Sequence, residues 1–96
     1  MAILNIPFNN FISLAELEAN YRNKKDEGLK YGAVFVPGEN KLYITAENKD
    51  FGSASTMSQD EYAKNRECHS DKEIVEWIFN LTKDKVLHPE RFMKGD

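Results

Sequence analysis

Residues 31–46 read Tyr-Gly-Ala-Val-Phe-Val-Pro-Gly-Glu-Asn-Lys-Leu-Tyr-Ile-Thr-Ala, and this stretch decides the fold. Two runs rich in β-branched and aromatic residues, 31–36 and 41–46, flank the four residues 37–40. Such runs are typical of strands, and a proline followed by a glycine is typical of a type II turn, because proline presets φ and glycine accepts a positive φ. The stretch therefore predicts a β-hairpin.

The length of the connection predicts the register of this hairpin. Four connecting residues pair Val36 with Lys41, and side chains then alternate between the two faces of the sheet. The apolar face, which we expect to meet helices, carries Ala33, Phe35, Leu42 and Ile44. The opposite face is half apolar and carries Val34, Tyr43 and Thr45.

A third strand is needed, because a hairpin of two strands is only marginally stable by itself. We expect residues 2–6 to supply it, with Pro7 closing that strand at a sheet edge. Residues 47–57 contain Asn48, Asp50, Gly52 and a run of small residues, and this composition indicates a loop.

Three capping boxes mark helix starts, since a serine followed three residues later by a glutamate can satisfy two free amides reciprocally. They are Ser13-x-x-Glu16, Ser58-x-x-Glu61 and Ser70-x-x-Glu73. The first predicts a helix that fades around Lys25, with Leu14, Leu17 and Tyr21 on its core face and Gly28 as its stop. The second predicts a short helix ending near Cys68, and the third a helix running to about Val86, with a final turn from Pro89 that carries Phe92.

The apolar residues of the last helix cover about 200° of its circumference, which is wider than the stripe that seats a surface helix on a core. Either this helix is covered on two sides or part of it is exposed for a partner. Trp77 lies at one border of the arc, and an interface position and a core position are about equally compatible with the pattern. Tyr43 and Phe92 are the other candidate anchors.

These elements predict the α+β class. We expect a small antiparallel sheet, made of the hairpin and the N-terminal strand, with two to three helices packed on one face in the order β-α-β-β-α-α. The chain of 96 residues, 41% hydrophobic and 30% charged, is typical of one soluble domain spanning residues 1–96.

The composition also bears on location and cofactors. Residues 1–8 lack a positively charged segment, and the apolar runs are too short to span a membrane, so we expect neither a secretion signal nor membrane insertion. A single cysteine excludes an internal disulfide framework and fits a cytoplasmic protein. The Asn and Lys content hints at a bacterial or phage origin.

Cys68, His69 and His88 are the only residues whose types suggest a nucleophile or a metal site. Adjacent side chains at a helix junction diverge, and one cysteine with two histidines is short of the four ligands of a zinc site. We therefore expect no metal, no cofactor and no enzymatic activity; a small Cys/His enzyme is the third hypothesis.

Residues 50–76 hold seven carboxylates and three cationic side chains, a net charge of −4 within a chain of net charge −3. The simplest interpretation is a solvated face, and the functional one is a patch that attracts a basic partner. The leading hypothesis is a cytoplasmic protein-binding module that acts by covering a surface, as an inhibitor, immunity or adaptor protein from a phage or mobile element. Its predicted partner-binding residues are Asp60, Glu61, Lys64, Glu67 and Trp77.

The second hypothesis places a nucleotide or nucleic acid on residues 22–30, whose net charge is +2. The candidate anion-binding residues are Arg22, Lys24, Lys25 and Lys30. Two acidic residues in the same segment weaken this signal, since phosphate binding rests on an excess of positive charge. Neither hypothesis specifies the oligomeric state.

Overall fold

The computed structural model describes residues 6–25 and 27–92 of the chain. The elements are α1 (Ile6–Lys25), β1 (Lys30–Val36), β2 (Lys41–Glu47), β3 (Gly52–Ser58), α2 (Gln59–Asn65), α3 (Asp71–Leu87) and a 3-10 turn, Pro89–Arg91. The α+β class and the small antiparallel sheet are confirmed. Within the described residues the order is α-β-β-β-α-α, because the third strand follows the hairpin.

The hairpin has the predicted register. β1 and β2 pair antiparallel with Val36 opposite Lys41, and the pairing continues through Phe35 with Leu42 to Lys30 with Glu47. Leu42 is fully buried beneath the helices, whereas Val34 on the other face is 58% exposed. Alternation along the strands was therefore sufficient to assign the two faces.

The predicted turn type is wrong. The positive φ lies at Asn40 (φ 54°), whereas Gly38 has no positive φ. The Glu39 amide donates to the Val36 carbonyl at 3.1 Å and the Asn40 amide to the Pro37 carbonyl at 3.2 Å. Two successive tight turns thus bring the chain round, and asparagine tolerates the left-handed conformation that completes them.

The third strand is β3, so the prediction that residues 47–57 form a loop is wrong. β3 pairs antiparallel with β2, with Glu47 opposite Gly52 and Lys41 opposite Ser58. Its inward-facing residues Ser55 and Met57 are buried, while Thr56 between them is exposed. Because most residues of β3 are small or carry a hydroxyl, its inward-facing and outward-facing residues differ little in hydrophobicity. The composition of this segment therefore indicated a loop.

The first helix is already formed at Ile6, so it begins well before the predicted cap at Ser13. Ser13 is an exposed residue inside α1, so it does not cap a helix there. Pro7 lies in the first turn of α1, where its missing amide donor is not needed, and so it does not close a strand. Of the predicted N-terminal strand, Ile6 is helical and residues 2–5 lie outside the described part of the chain.

This shift also corrects the buried face of α1. The buried residues are Phe8, Phe11, Ile12, Ala15 and Ala19. Leu17 and Tyr21, which were expected on the core face, are exposed, and Leu14 is half-buried. The prediction failed because starting the helix at Ser13 removed three of the five residues that define its apolar stripe.

The other two capping boxes are confirmed. Ser58 Oγ accepts a hydrogen bond from the Glu61 amide (3.1 Å), and Glu61 Oε1 accepts one from the Ser58 amide (2.8 Å). Ser70 and Glu73 make the same pair of bonds at the start of α3. α2 ends at Asn65 rather than near Cys68, and the predicted final turn at Pro89 is present.

Helix side chains form hydrogen bonds with the backbone of both edge strands. At the β1 edge, Asn23 of α1 accepts a hydrogen bond from the Tyr31 amide (2.7 Å) and donates one to the Tyr31 carbonyl (2.9 Å). At the β3 edge, Lys85 Nζ of α3 donates to the Ala54 carbonyl (3.1 Å). Each bond occupies backbone groups that an added strand would use, which is a common protection against edge-to-edge association.

The described helices pack on one face of the sheet and share one hydrophobic cluster with it. On the opposite face, Gly32 lies across from Thr45, and a Cβ atom at residue 32 would come within 2.7 Å of Thr45 Oγ1. A residue without a side chain is therefore required at this position. This face leaves Val34 open to solvent.

Candidate protein-interaction surface

Trp77 lies on the exposed side of α3. The buried side of that helix carries Ile74, Val75, Ile78, Phe79, Thr82 and Val86. Trp77 is 55% exposed, in contrast to its fully buried neighbour Phe79. The wide apolar arc of this helix is therefore explained by partial exposure, and Trp77 is not a core residue.

A depression of about 310 Å3 lies beside the indole. It is lined by Asn65, His69, Glu73, Ile74 and Trp77. Ile74 is buried and supplies an apolar surface, whereas the Glu73 and His69 side chains are more than half exposed. An aromatic ring, a carboxylate and an amide thus surround one small concave site.

The four predicted partner-binding residues of the acidic segment lie on α2 or directly after it. Asp60, Glu61, Lys64 and Glu67 are all exposed. Glu61 also has a structural task, since its carboxylate caps α2. Asn65 connects this helix to the depression, and its side-chain amide donates to the Glu61 carbonyl at 2.9 Å.

Tyr62 holds α2 and α3 in their relative positions. Its ring packs on Phe11 (4.6 Å between centroids) and Phe8 (5.5 Å), and its hydroxyl donates a 2.8 Å hydrogen bond to Asp71 Oδ1. Burial, followed by the bond to the Asp71 carboxylate, raises the pKa of Tyr62 to about 12. Tyr62 therefore fixes the position of α2 relative to the core and to α3, the helix that carries Trp77.

The candidate anion-binding residues are not brought together as free charges. Arg22 is occupied, since its Nε donates to Glu18 (2.6 Å) and its Nη2 to Asn80 (3.0 Å). Lys25 Nζ lies 4.8 Å from the centre of the Tyr21 ring. Lys24 and Lys30 are exposed at the end of α1 and the start of β1, respectively.

Arg22 and Lys25 line a groove of about 570 Å3 between α1 and α3. Its charged residues are Glu18, Arg22, Lys25, Glu27, Lys72, Glu76 and Lys83. Sequence reasoning missed the contributions of Lys72 and Lys83, because they are distant in sequence from residues 22–30. The three carboxylates offset most of the positive charge, so the groove lacks a strong phosphate-binding potential.

Lys30 lines a different cleft of about 600 Å3 at the start of β1. Its other charged residues are Glu47 and Lys49. Asn48 there accepts hydrogen bonds from the amides of Asp50 and Phe51 (both 2.8 Å), and it thereby shapes the turn between β2 and β3. These contacts give Asn48 a structural role at this end of the sheet.

The cysteine and the histidines are exposed or half-exposed and lie at different places. Cys68 and His69 are in the turn between α2 and α3, and His88 caps the end of α3. His69 Nδ1 is 3.8 Å from Glu73, and His88 Nδ1 is 3.6 Å from Glu90. Among the described residues no group of three metal-ligating side chains is close enough to hold an ion.

The two alternative anchors have different surroundings. Tyr43, on the open face of the sheet, is half-buried and its hydroxyl donates to the Glu39 carboxylate, which raises the pKa of Tyr43. Phe92 follows the final turn and is 44% exposed. Trp77 differs from both because it borders a depression of mixed apolar and polar lining.

No helix within residues 6–25 and 27–92 is long and apolar enough to cross a membrane.

Comparisons with protein-family models, with curated proteins and with solved structures find no match to this chain.

Proposed function

We propose that this protein is a protein-binding module that acts by covering a surface of its partner. The observation that carries the proposal is Trp77, a large aromatic side chain that α3 leaves 55% exposed beside a depression. Tryptophan is among the residues that most often dominate binding energies at protein interfaces. Other large hydrophobic residues, such as Leu17 and Phe51, are also exposed, but Trp77 combines exposure with a place in the lining of this depression.

The sheet edges support a partner that docks on helices. Asn23 and Lys85 already bond the backbone of the two edge strands, so an added strand would have to displace them. Recognition by strand addition depends on free edge groups. A partner that binds the exposed surface of α2 and the Trp77 side of α3 would not need to displace these hydrogen bonds.

The negative charge of residues 50–76 favours a partner with a positively charged surface. Residues 50–76 carry a net charge of −4, and Asp60 and Glu67 are exposed on or beside α2. Complementary charge speeds the encounter and restricts the choice of partner. We propose a protein with a basic surface, in the setting of a cytoplasmic inhibitor, immunity or adaptor protein encoded by a phage or mobile element.

This function requires no chemistry, and we propose a non-enzymatic role. Cys68 and His69 are adjacent in a turn, and the nearest charged partner of His69 is the capping residue Glu73. A nucleophile requires a base within hydrogen-bond reach that is itself oriented by a third group. Glu73 Oε1 accepts the Ser70 amide and lies 3.8 Å from His69 Nδ1, which is beyond hydrogen-bond reach.

Co-purification of the tagged protein from cells of its source tests the proposal. The parent protein should retain a specific protein, Trp77→Ala should lose it, and Val34→Ala should keep it. Val34 is the matched control, since it is equally exposed (58%) but lies on the open face of the sheet. Equal retention by the parent and Trp77→Ala would contradict the proposed surface.

A further inference from the structure

The guanidinium of Arg22 is bound by aromatic rings, a glutamate and an asparagine of this protein. Its guanidinium lies 5.2 Å from the centre of the Tyr31 ring and 5.3 Å from that of Phe79. In the plane of the group, Nε donates to Glu18 (2.6 Å) and Nη2 to Asn80 (3.0 Å). Stacking and two in-plane acceptors together satisfy the cation.

The depression beside Trp77 presents the same three kinds of group, together with the His69 imidazole, whose Nδ1 lies 3.8 Å from Glu73. Trp77 offers the aromatic face, Glu73 a carboxylate and Asn65 an amide. One oxygen of Glu73 accepts the Ser70 amide, which leaves the other oxygen of this exposed carboxylate to accept a further donor. The Asn65 nitrogen donates within α2, so its oxygen is the group left to accept.

We propose that this depression receives an arginine side chain of the protein partner, an inference that rests on the proposed function. A guanidinium is planar, so it stacks on an indole while its N–H groups reach acceptors in its own plane. A lysine ammonium is a compact, strongly hydrated charge that lacks this combination.

The surroundings of the depression favour a cation. Glu61, four residues before Asn65, and Glu67 add carboxylates on the α2 side, within the acidic segment 50–76 of net charge −4. Buried Ile74 forms an apolar part of the lining. The arginine that enters is the partner's, since Arg22 and Arg66 of this chain lie over the rings of other residues and Arg91 lies in the 3-10 turn beyond the other end of α3.

The experiment uses the full chain, whose only tryptophan is Trp77, so that its fluorescence reports on this site alone. The protein is titrated with N-acetyl-arginine amide and, in parallel, with N-acetyl-citrulline amide and N-acetyl-lysine amide. Citrulline has nearly the shape of arginine without its charge. The proposal predicts that the arginine amide changes the emission at lower concentration than either of the other two.

Two matched variants locate the effect. Glu73→Gln removes the carboxylate while glutamine still fits the capping box, so α3 should start as before. Glu76→Gln makes the same change on the α1–α3 groove. We expect Glu73→Gln to weaken arginine amide binding roughly two- to fivefold, the range for one exposed ion pair, and Glu76→Gln to leave it unchanged. Circular dichroism confirms that both variants are folded.

Three results would overturn the arginine inference: equal responses to arginine and citrulline amides, a stronger response to lysine amide, or equal losses in the two variants. Absence of any response would overturn it as well. These results do not bear on the co-purification test, in which the parent protein retains a partner that Trp77→Ala loses. Failure of the arginine site is therefore distinguishable from failure of the proposed function.

Discussion

The Tyr62 hydroxyl on α2 donates a 2.8 Å hydrogen bond to Asp71 Oδ1 in the first turn of α3. The tyrosine ring is anchored from below by Phe11, so this bond ties both helices to the core at one point. Asn65 and Trp77, which both line the depression, lie on these two helices. The geometry of the proposed interface therefore depends on Tyr62.

Tyr62→Phe keeps the ring and removes the hydrogen bond, and we expect it to lower the free energy of unfolding by about 1 kcal/mol at neutral pH. Asp71 is only partly buried, so water can replace the lost donor and limit the cost. Chemical denaturation of both proteins measures the difference. An unchanged free energy of unfolding would show that the bond contributes nothing to stability.

Alkaline pH should destabilise the parent protein through the same residue. The pKa of Tyr62 is about 12 when folded and 10.0 when unfolded, so the stabilisation is complete below pH 10.0 and is lost as the pH rises through 12. By the linkage relation this amounts to about 2 kcal/mol at the folded pKa. Tyr62→Phe should lack this part of the decline, and identical pH profiles would contradict the assignment.

Ser58→Ala and Ser70→Ala should each lower the free energy of unfolding by about 1 kcal/mol, because each leaves a helix amide without its acceptor. Ser13→Ala is the matched control, since Ser13 is exposed within α1 and alanine favours helix interiors. Thermal melting of the three variants should show two losses and no loss for Ser13→Ala. A loss at Ser13 equal to the other two would contradict the observed start of α1.

The features predicted correctly from sequence are those set by short-range chemistry. The hairpin register follows from the length of its turn, and the starts of α2 and α3 follow from Ser58 and Ser70, whose bonds are local. The same logic failed at Ser13, since Phe8, Phe11 and other residues before it bury an apolar stripe that outweighs the local cap.

β3 could not be predicted because its identity depends on its neighbours. Ser55 is buried only because β2 pairs beside it and its hydroxyl donates a hydrogen bond to Thr82 Oγ1 of α3 (2.9 Å), whose own proton goes to the Ile78 carbonyl. A serine gives no hydrophobic signal in sequence, and its strand geometry is imposed by the tertiary structure.

The candidate site was predicted in part. The exposure of Trp77 was one of two interpretations of the apolar arc, and Asp60 and Glu67 are exposed as expected. Asn65 and His69 were missed. The sequence contains one indication of this site: His69, Glu73 and Trp77 are spaced four residues apart, the spacing that brings side chains together on a helix. This spacing points to a site only once the position of α2, which supplies Asn65, is known.

Asn23→Ala should open the β1 edge. The variant loses both hydrogen bonds to the Tyr31 backbone, and we expect a cost of about 1–2 kcal/mol in the free energy of unfolding. Because residues 31–36 contain no charged side chain, the exposed edge should also promote self-association on heating. Light scattering measures the association.

The control for this variant is Asn20→Ala, the same change at an exposed position of α1. It should leave both the stability and the scattering of the parent unchanged. Equal behaviour of the two variants would mean that Asn23 does not protect the sheet edge.

Trp77→Ala should change the free energy of unfolding by less than about 1 kcal/mol, since the side chain is half exposed. Phe79→Ala, two residues later and fully buried, should cost about 3–5 kcal/mol. Quenching of the parent fluorescence by acrylamide provides a second measurement, and the indole should be readily quenched. A shielded indole, together with unfolding of Trp77→Ala, would place Trp77 in the core.

The most direct test of the proposed interface is a photo-crosslinking amino acid placed at position 69 or at position 34 of the protein in cells of its source, with Trp77 left in place. His69 lines the depression beside Trp77, whereas Val34 lies on the open face of the sheet, and both positions are exposed. We expect a discrete adduct with another protein from position 69 and none from position 34. An adduct from position 34 with none from position 69 would contradict the proposed interface, and would place it on the open face of the sheet.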